Sequence, residues 1–393
     1  MTSRPELTYH RPNREQAVDY VRLDAMAFGD DPAPMLGKLD EIGWDAMRTV
    51  SVGGEVAAGL VIFDEAERFG GRAVRSWAIG GVAVWPHHRR RGVGRALMAA
   101  MLDEARDAGV PLSVLFATTP TFYRNLGYEP AGWLNHWTVD PKCFPRLDHG
   151  ADVSAVAPTD DDGRRRIAEV YAAAVRDANG PLERRSRLMW MRHLTPFIGE
   201  RFAYLITLDG RDEGFVILDR ERREGELWVE AVVTSRGAAG AAARLLQGLS
   251  SVVPKVGWFG GVHDPMRRLI AENAARPGRR TEEWMLRITD VEGALRQRGY
   301  PPVHAELHLE VADALLPSNA GRYVLTLRGG RATVQRGGAG RIALDVRGLA
   351  PLYTSHATPF ELREIGLIDG PDEDLSALAL ALGGPRPFLC DAF

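Results

Sequence analysis

Residues 87–97 read HHRRRGVGRAL: three arginines run into Gly92-Val93-Gly94, and Val93, Leu97, Ala100 and Met101 then recur at helical spacing. A run rich in β-formers, RAVRSWAIGGVAVW, precedes the arginines and stops at Pro86. Strand, arginine-rich glycine loop and helix can together hold a pyrophosphate. Glycines let backbone N–H groups close on phosphate oxygens, the helix N-terminus adds positive potential, and guanidinium groups neutralise charge. The loop lacks the Gly-Lys-Ser/Thr ending of a Walker loop and the G-x-G-x-x-G with later acid of a dinucleotide fold. Two other readings stand beside this one: a solvated helix start with ordinary glycines, and a patch for a nucleic-acid backbone. Against nucleic acid are the shortness of the basic run, the absence of interleaved aromatics and a net charge of −3.

Other chemistries find little support. The ten histidines show no ligand spacing, and Cys143 and Cys390 are too few for a disulfide framework or a cysteine-ligated zinc, so no metal is implied. His87 and His88 are expected to face solvent. No G-x-S-x-G elbow suggests a serine hydrolase. The polar start, MTSRPELTYHRPNREQ, has no secretory apolar core, and no apolar run nears the ~20 residues of a membrane span. The expectation is a cytoplasmic protein without a membrane partner.

The elements that must position the loop follow from pattern. With 393 residues, 45% apolar and 26% charged, the chain has the composition of two or three globular domains. A helix is expected near 14–27, a hairpin about Gly53-Gly54, the long strand before Pro86, the helix after Gly92, a buried strand LSVLFAT, a short helix and turn TPTFYRNLGY, and a strand GWLNHWTVD. PKCFPRLDHGADVSAVAPTDDDG loses apolar periodicity and places a boundary near 150. The grammar then repeats: helices near 161–178 and 182–194, a hairpin at Asp209-Gly210, and ELWVEAVVTSRGAAGAAARLLQGLS as strand, loop and helix with Arg236 alone before Gly237. This reads as a copy of the first unit that has lost its phosphate loop. Beyond about 291, HAELHLEVAD, GRYVLTLRGGRATVQRGG and RIALDVRGLAPLY alternate like strands, TPFELREIGLI and DLSALALAL look helical, and a proline-stiffened tail ends at Phe393.

At the loop, VAVWPHHRRRGVG resembles the coenzyme A signature of the GCN5-related N-acetyltransferases (GNAT), Arg/Gln-x-x-Gly-x-Gly/Ala, as Arg89-Arg90-Arg91-Gly92-Val93-Gly94. TFYRNLGYEPAG is similar to that family's tyrosine-bearing helix and the turn after it. Across its length the chain resembles the Eis-type (enhanced intracellular survival) branch. The implied fold class is α/β and α+β: a catalytic GNAT domain at 1–150, a degenerate GNAT-like domain at 151–290, and a sterol-carrier-protein-like α+β domain at 291–393 carrying the active-site C-terminus.

The resemblance implies acetyl-CoA as cosubstrate and primary amines of aminoglycosides as acceptors, at several positions, with polyamines or protein lysines as the alternative. It also implies a homo-oligomer, a hexamer. Backbone groups of Val82, Ala83 and Val84 would pair with the pantetheine arm and polarise the thioester. Arg89, Arg90, Gly92, Val93 and Gly94 would hold the pyrophosphate, with Thr118 near the pantetheine. Tyr123 would protonate the departing thiolate, and the free carboxylate of Phe393 would take the ammonium proton. Asp30, in a loop where similar enzymes gather acids, and Trp44 nearby are candidate acceptor contacts; each could equally be a solvated turn and a core residue. A different class of function, a lipid carrier using the third domain, would leave the retained Arg89–Gly94 loop and Tyr123 unexplained.

Overall fold

The computed structural model describes residues 6–147, 150–157, 160–194, 200–223, 225–270 and 274–393, with backbone alone for 220–223. Two compact units form. One takes the chain up to Gly132, Glu283–Pro385 and Phe393; the other takes Trp133–Glu282 and Arg386–Ala392.

The first unit is built on a sheet in the order β1 (Leu7–His10), β2 (Met47–Val52), β3 (Glu55–Phe69), β4 (Arg72–Val84) and β5 (Leu112–Phe116), followed by the strand Glu282–Ile288. β1 to β4 pair antiparallel, and β4 and β5 pair parallel. A parallel pair needs a crossover, which α4 (Val93–Asp107) supplies after α1 (Arg14–Phe28), α2 (Ala33–Gly37) and α3 (Leu39–Ile42). α4 buries Val93, Leu97, Met98, Met101, Leu102 and Ala105 against a cluster that includes Ala57, Trp77 and Ile79. α1, held by an Asn13–Gln16 capping box and stopped by Gly29 at φ 79°, packs Ala17, Tyr20 and Val21 with Val56 and Ala83. Val56 and Ala57 are sequence neighbours on a strand, so the two helices cover opposite faces. α5 (Pro120–Arg124) and β6 (Glu129–Leu134) follow, and the division between the units falls inside β6.

The same unit holds a second sheet, ordered Arg331–Arg336, Gly321–Arg328, Ala305–Ala312, Ile342–Asp345, Ile368–Asp369. RIALDVRGLAPLY is not one strand as expected. Asp345 accepts a hydrogen bond from Arg347 N, and Val346–Thr354 is a buried helix. An N-cap acid ended the alternation early.

The second unit repeats the plan. Its sheet runs β13 (Arg276–Pro277), β7 (His136–Val139), β12 (Val256–Phe259), β11 (Glu226–Val233), β10 (Arg211–Arg223), β9 (Arg201–Leu208), β8 (Asp152–Val156). β8 to β11 pair antiparallel, and parallel β11 and β12 are joined through α8 (Arg236–Gly248), as β4 and β5 are through α4. Beside each parallel pair lies an antiparallel strand from elsewhere in the chain: β7 next to β12, and Glu282–Ile288 next to β5. α6 (Asp161–Ala174) is shorter than 161–178, and α7 begins only at Arg187, running to Leu194. Arg184 takes φ 51°, which a helix cannot accommodate. Among the described residues no helix is long and apolar enough to cross a membrane.

Candidate active site

β4 carries a bulge where its register against β3 shifts, Gly59 facing Ala83 but Val61 facing Gly80. Gly81 sits in it at φ 60°; a Cβ there would run into Tyr20 Oη and Asp24 Oδ1, and the Tyr20 hydroxyl donates to Gly81 O at 2.8 Å. The ladder between β4 and β5 ends at Ile79 and Leu115, so Val82, Ala83 and Val84 have no register partner on β5 among the described residues. Apart from Val84 O, which accepts from Arg89 Nε, their β5-facing backbone groups lack a ladder partner, whose place an amide-bearing arm could take.

The chain end lies at the point where this ladder stops. The ring of Phe393 packs 5.1 Å from that of Phe116 and 6.1 Å from that of Phe63, and a Cβ on Gly80 would come within 3.0 Å of the Phe393 carboxyl carbon. The missing side chain at Gly80 lets residue 393 lie close against β4.

After β4 the chain makes a 3-10 turn, Pro86–His88, and Arg89 Nε donates back to Val84 O at 3.1 Å. Arg90 at φ 61° and Gly92 at φ 82° bend the loop into α4, and no side chain caps α4 among the described residues. The first-turn N–H groups thus face outward beside three exposed guanidinium groups, an anion cradle. The two glycines differ in role. Gly92 supplies the left-handed turn and has open space around its α-carbon, whereas a Cβ on Gly94 would press on Val84 Cγ2 at 3.3 Å and Phe122 Cζ at 3.6 Å. The lack of a Cβ at Gly94 thus also lets α4 pack close to Val84 and Phe122. His88 also departs from expectation. It is buried, and its imidazole is held below the ordinary value by burial first and then by His87 and Arg91.

Tyr123, on α5, is buried edge-on to Phe122 at 5.0 Å and Tyr128 at 5.9 Å, and in the α4 cluster with Val82 and Val84. Burial pushes its hydroxyl up to about 12, so it stays protonated, and no hydrogen-bond partner meets it among the described residues. The turn after it needs Gly127, at φ 86°, because the Arg287 guanidinium occupies the Cβ position. Thr118 is exposed just beyond β5.

Asp30 is exposed past the end of α1, and neighbouring Asp31 accepts from Ala33 N at 2.9 Å, ordinary turn chemistry. Trp44 is half-buried against the Tyr20 cluster. The carboxylate at the bulge is instead Asp24. Its signal was present: Ala17, Tyr20, Val21 and Asp24 share one stripe of α1, and an acid in an apolar stripe calls for explanation.

Residues 8–131 match the acetyltransferase (GNAT) domain, and 291–390 match the sterol carrier protein domain. An uncharacterized N-acetyltransferase of Streptomyces coelicolor is 31% identical over 319 residues, 72% of each chain. N-acetyltransferase Eis of Mycobacterium tuberculosis is 29% identical over 288 residues, 69% of each. The chain belongs to the Eis-type GNAT N-acetyltransferases. A crystal structure of a GCN5-related N-acetyltransferase from Anabaena variabilis, 29% identical, superposes on this Eis-type chain with a TM-score of 0.90 over 99% of it and 100% of the other. The GNAT fold implies acetyl-CoA as cosubstrate. The uncapped start of α4, the exposed arginines and the open backbone after Ile79 fit a nucleotide with an amide-bearing arm.

Proposed function

We propose that this Eis-type enzyme acetylates primary amines of polycationic small molecules, aminoglycosides among them, at more than one position. The observation that supports this most is the Phe393 carboxylate against Gly80, at the end of the β4–β5 ladder. Amines of such acceptors are protonated at pH 7, so an anion must bind the ammonium and then take its proton. The Phe393 carboxylate has this role, and Asp24 adds negative charge at the bulge; Asp30 and Trp44 are assigned to the outer acceptor contacts.

Acetyl-CoA brings the acetyl group as a thioester. Arg89, Arg90, Gly92, Val93 and Gly94 hold its phosphates, Val82 to Val84 pair with its arm and donate to the thioester oxygen, and Thr118 lies near the arm. The deprotonated amine forms the new C–N bond, the C–S bond breaks, Tyr123 passes its proton to the sulfur, and the proton that the amide nitrogen sheds restores the tyrosine hydroxyl by way of solvent. A hydroxyl held at about 12 is neutral at working pH and can donate to a thiolate. The family resemblance also supports a hexamer.

Thiol release with tobramycin tests the reading, using protein with a free Phe393 and protein extended by one residue. Turnover by the first form and a loss of about 100-fold or more in the second is the expected result. Equal turnover would remove Phe393 from the mechanism. No turnover with tobramycin would move the acceptor to polyamines or lysine peptides.

A further inference from the structure

The seven residues before Phe393 are held in the second unit by an unusually charged grip. Phe388–Leu389 pairs as a short parallel strand with Trp133–Leu134, and Phe388 N donates to Asn179 O at 3.0 Å. Gly180 and Gly261 make room for Phe388: a Cβ on the first would run into its carbonyl oxygen, and on the second would touch its ring at 3.0 Å. Then comes Asp391, with no exposed surface. Its Oδ1 accepts from Arg184 Nε at 2.8 Å and lies 2.8 Å from His193 Nε2, and its Oδ2 accepts from the Tyr171 hydroxyl at 3.3 Å. Arg184 is itself buried, lies 3.9 Å over the Tyr171 ring and donates to Glu230 at 2.5 Å; His193 Nδ1 meets the same carboxylate at 2.7 Å. Arg192 Nη2 donates to Ala392 O at 2.9 Å.

Chain ends usually fray, and a tail could be docked by apolar contacts alone. A buried ion network is a poor means of adding stability, because desolvation cancels much of its attraction. What it does well is impose one geometry, since each guanidinium and carboxylate has directional partners. Arg184 adopts left-handed backbone at φ 51°, a conformation uncommon and strained in a non-glycine residue. Only two peptide bonds separate the Asp391 and Phe393 α-carbons, at most about 7 Å of chain. Where Asp391 is fixed, the terminal carboxylate has little room left to wander.

We propose that Asp391 and Arg184, backed by His193 and Glu230, are positioning residues that hold the C-terminal carboxylate at its working place for acetyl transfer. The inference rests on the reading of Phe393 as the proton acceptor. The network touches no reacting atom, so its loss acts on turnover and leaves cosubstrate binding alone.

The test uses the full chain with Asp391→Asn, and with Arg184→Met/Asp391→Leu, which removes both charges together and avoids stranding one buried ion. Three quantities are read: kcat and the KM for acetyl-CoA, the rate at which carboxypeptidase A releases Phe393, and the Tm. The expected result in both variants is a kcat lower by about 100-fold, the cost of a misplacement near 1 Å, with KM for acetyl-CoA unchanged, faster release of Phe393, and for the double variant an unchanged Tm. Unchanged kcat and unchanged Phe393 release would overturn the inference, while the one-residue extension still abolishing turnover would leave the Phe393 reading standing. Faster release with unchanged kcat, together with full activity of the extended protein, would overturn both.

Discussion

The two strand-to-helix junctions, β4 to α4 and β11 to α8, follow one plan and differ in what they leave open. In the first, the eight residues from Trp85 to Gly92 carry three exposed arginines, and α4 starts at a left-handed glycine with no side-chain cap among the described residues. In the second, β11 passes to α8 through Thr234 and Ser235 alone. Ser235 Oγ accepts from Ala238 N at 3.2 Å, and Thr234 Oγ1 donates to Glu213 O at 3.0 Å. A cap satisfies a donor that an anion would otherwise meet, and the following Ala238, Ala239, Ala241, Ala242 and Ala243 are buried. At the second junction the helix start is capped and packed, whereas at the first it is left open.

If only the first junction serves catalysis, damage there and damage to its counterpart must have unlike consequences. The largest effect is expected for Tyr123→Phe, with kcat down about 100-fold or more and Tm unchanged, since among the described residues the hydroxyl has no partner to lose; steady-state kinetics and calorimetry check both halves. Next, replacing Arg89, Arg90 and Arg91 by alanine is expected to weaken acetyl-CoA binding by roughly 10- to 100-fold with Tm held, while Arg236→Ala leaves binding untouched; titration calorimetry of the two proteins separates them. Ser235→Ala is expected to invert that pattern, costing about 1 kcal/mol of stability, read by denaturant titration, with no change in acetyl-CoA binding.

Buried carboxylates sharpen the contrast through pH. Glu67, buried in the first unit, is pushed by burial from an ordinary 4.5 to about 8, with Ser76 donating to it at 2.7 Å in partial opposition. Its folded form holds the proton, so its stabilising contribution is complete below about 4.5 and is lost as pH rises through about 8. Glu230 in the second unit is raised by burial, but Arg184 and then His193 outweigh this and bring it to about 2. Its contribution is present above 4.5 and lost as pH falls through about 2. Tm against pH should therefore lose part of its fall between about 4.5 and about 8 in Glu67→Gln and part of its acid slope in Glu230→Gln. Parallel slopes in both variants and the parent would contradict the assignment.

Much of the first unit was legible because its signals are local. Pro86, Gly92 and the apolar spacing after it mark a strand end and a helix start within ten residues, and FYRNLGY marks the α5 turn that Gly127 and Arg287 require. What stayed hidden depends on residues far apart in the chain. Nothing near Glu282–Ile288 says that this strand pairs with β5, and the expected division at 290 could not foresee it. His88 is adjacent to an exposed arginine run yet buried, and helix 346–354 hid behind an alternating pattern that an aspartate cap interrupts. Asp24 is readable from the sequence as the acid in the apolar stripe of α1 that holds Ala17, Tyr20 and Val21. The Arg184–Asp391 pair joins residues 207 apart, with only an acid in an apolar tail as a hint.

The central claim is that one junction of the two binds acetyl-CoA. Isothermal titration calorimetry of the intact protein with coenzyme A or acetyl-CoA tests it most directly, through the stoichiometry. One molecule per chain, bound roughly 10- to 100-fold more weakly when Arg89, Arg90 and Arg91 are alanine, is the predicted result. Two per chain, or one whose affinity those substitutions leave unchanged, would place binding at the second junction as well or instead and would contradict the account.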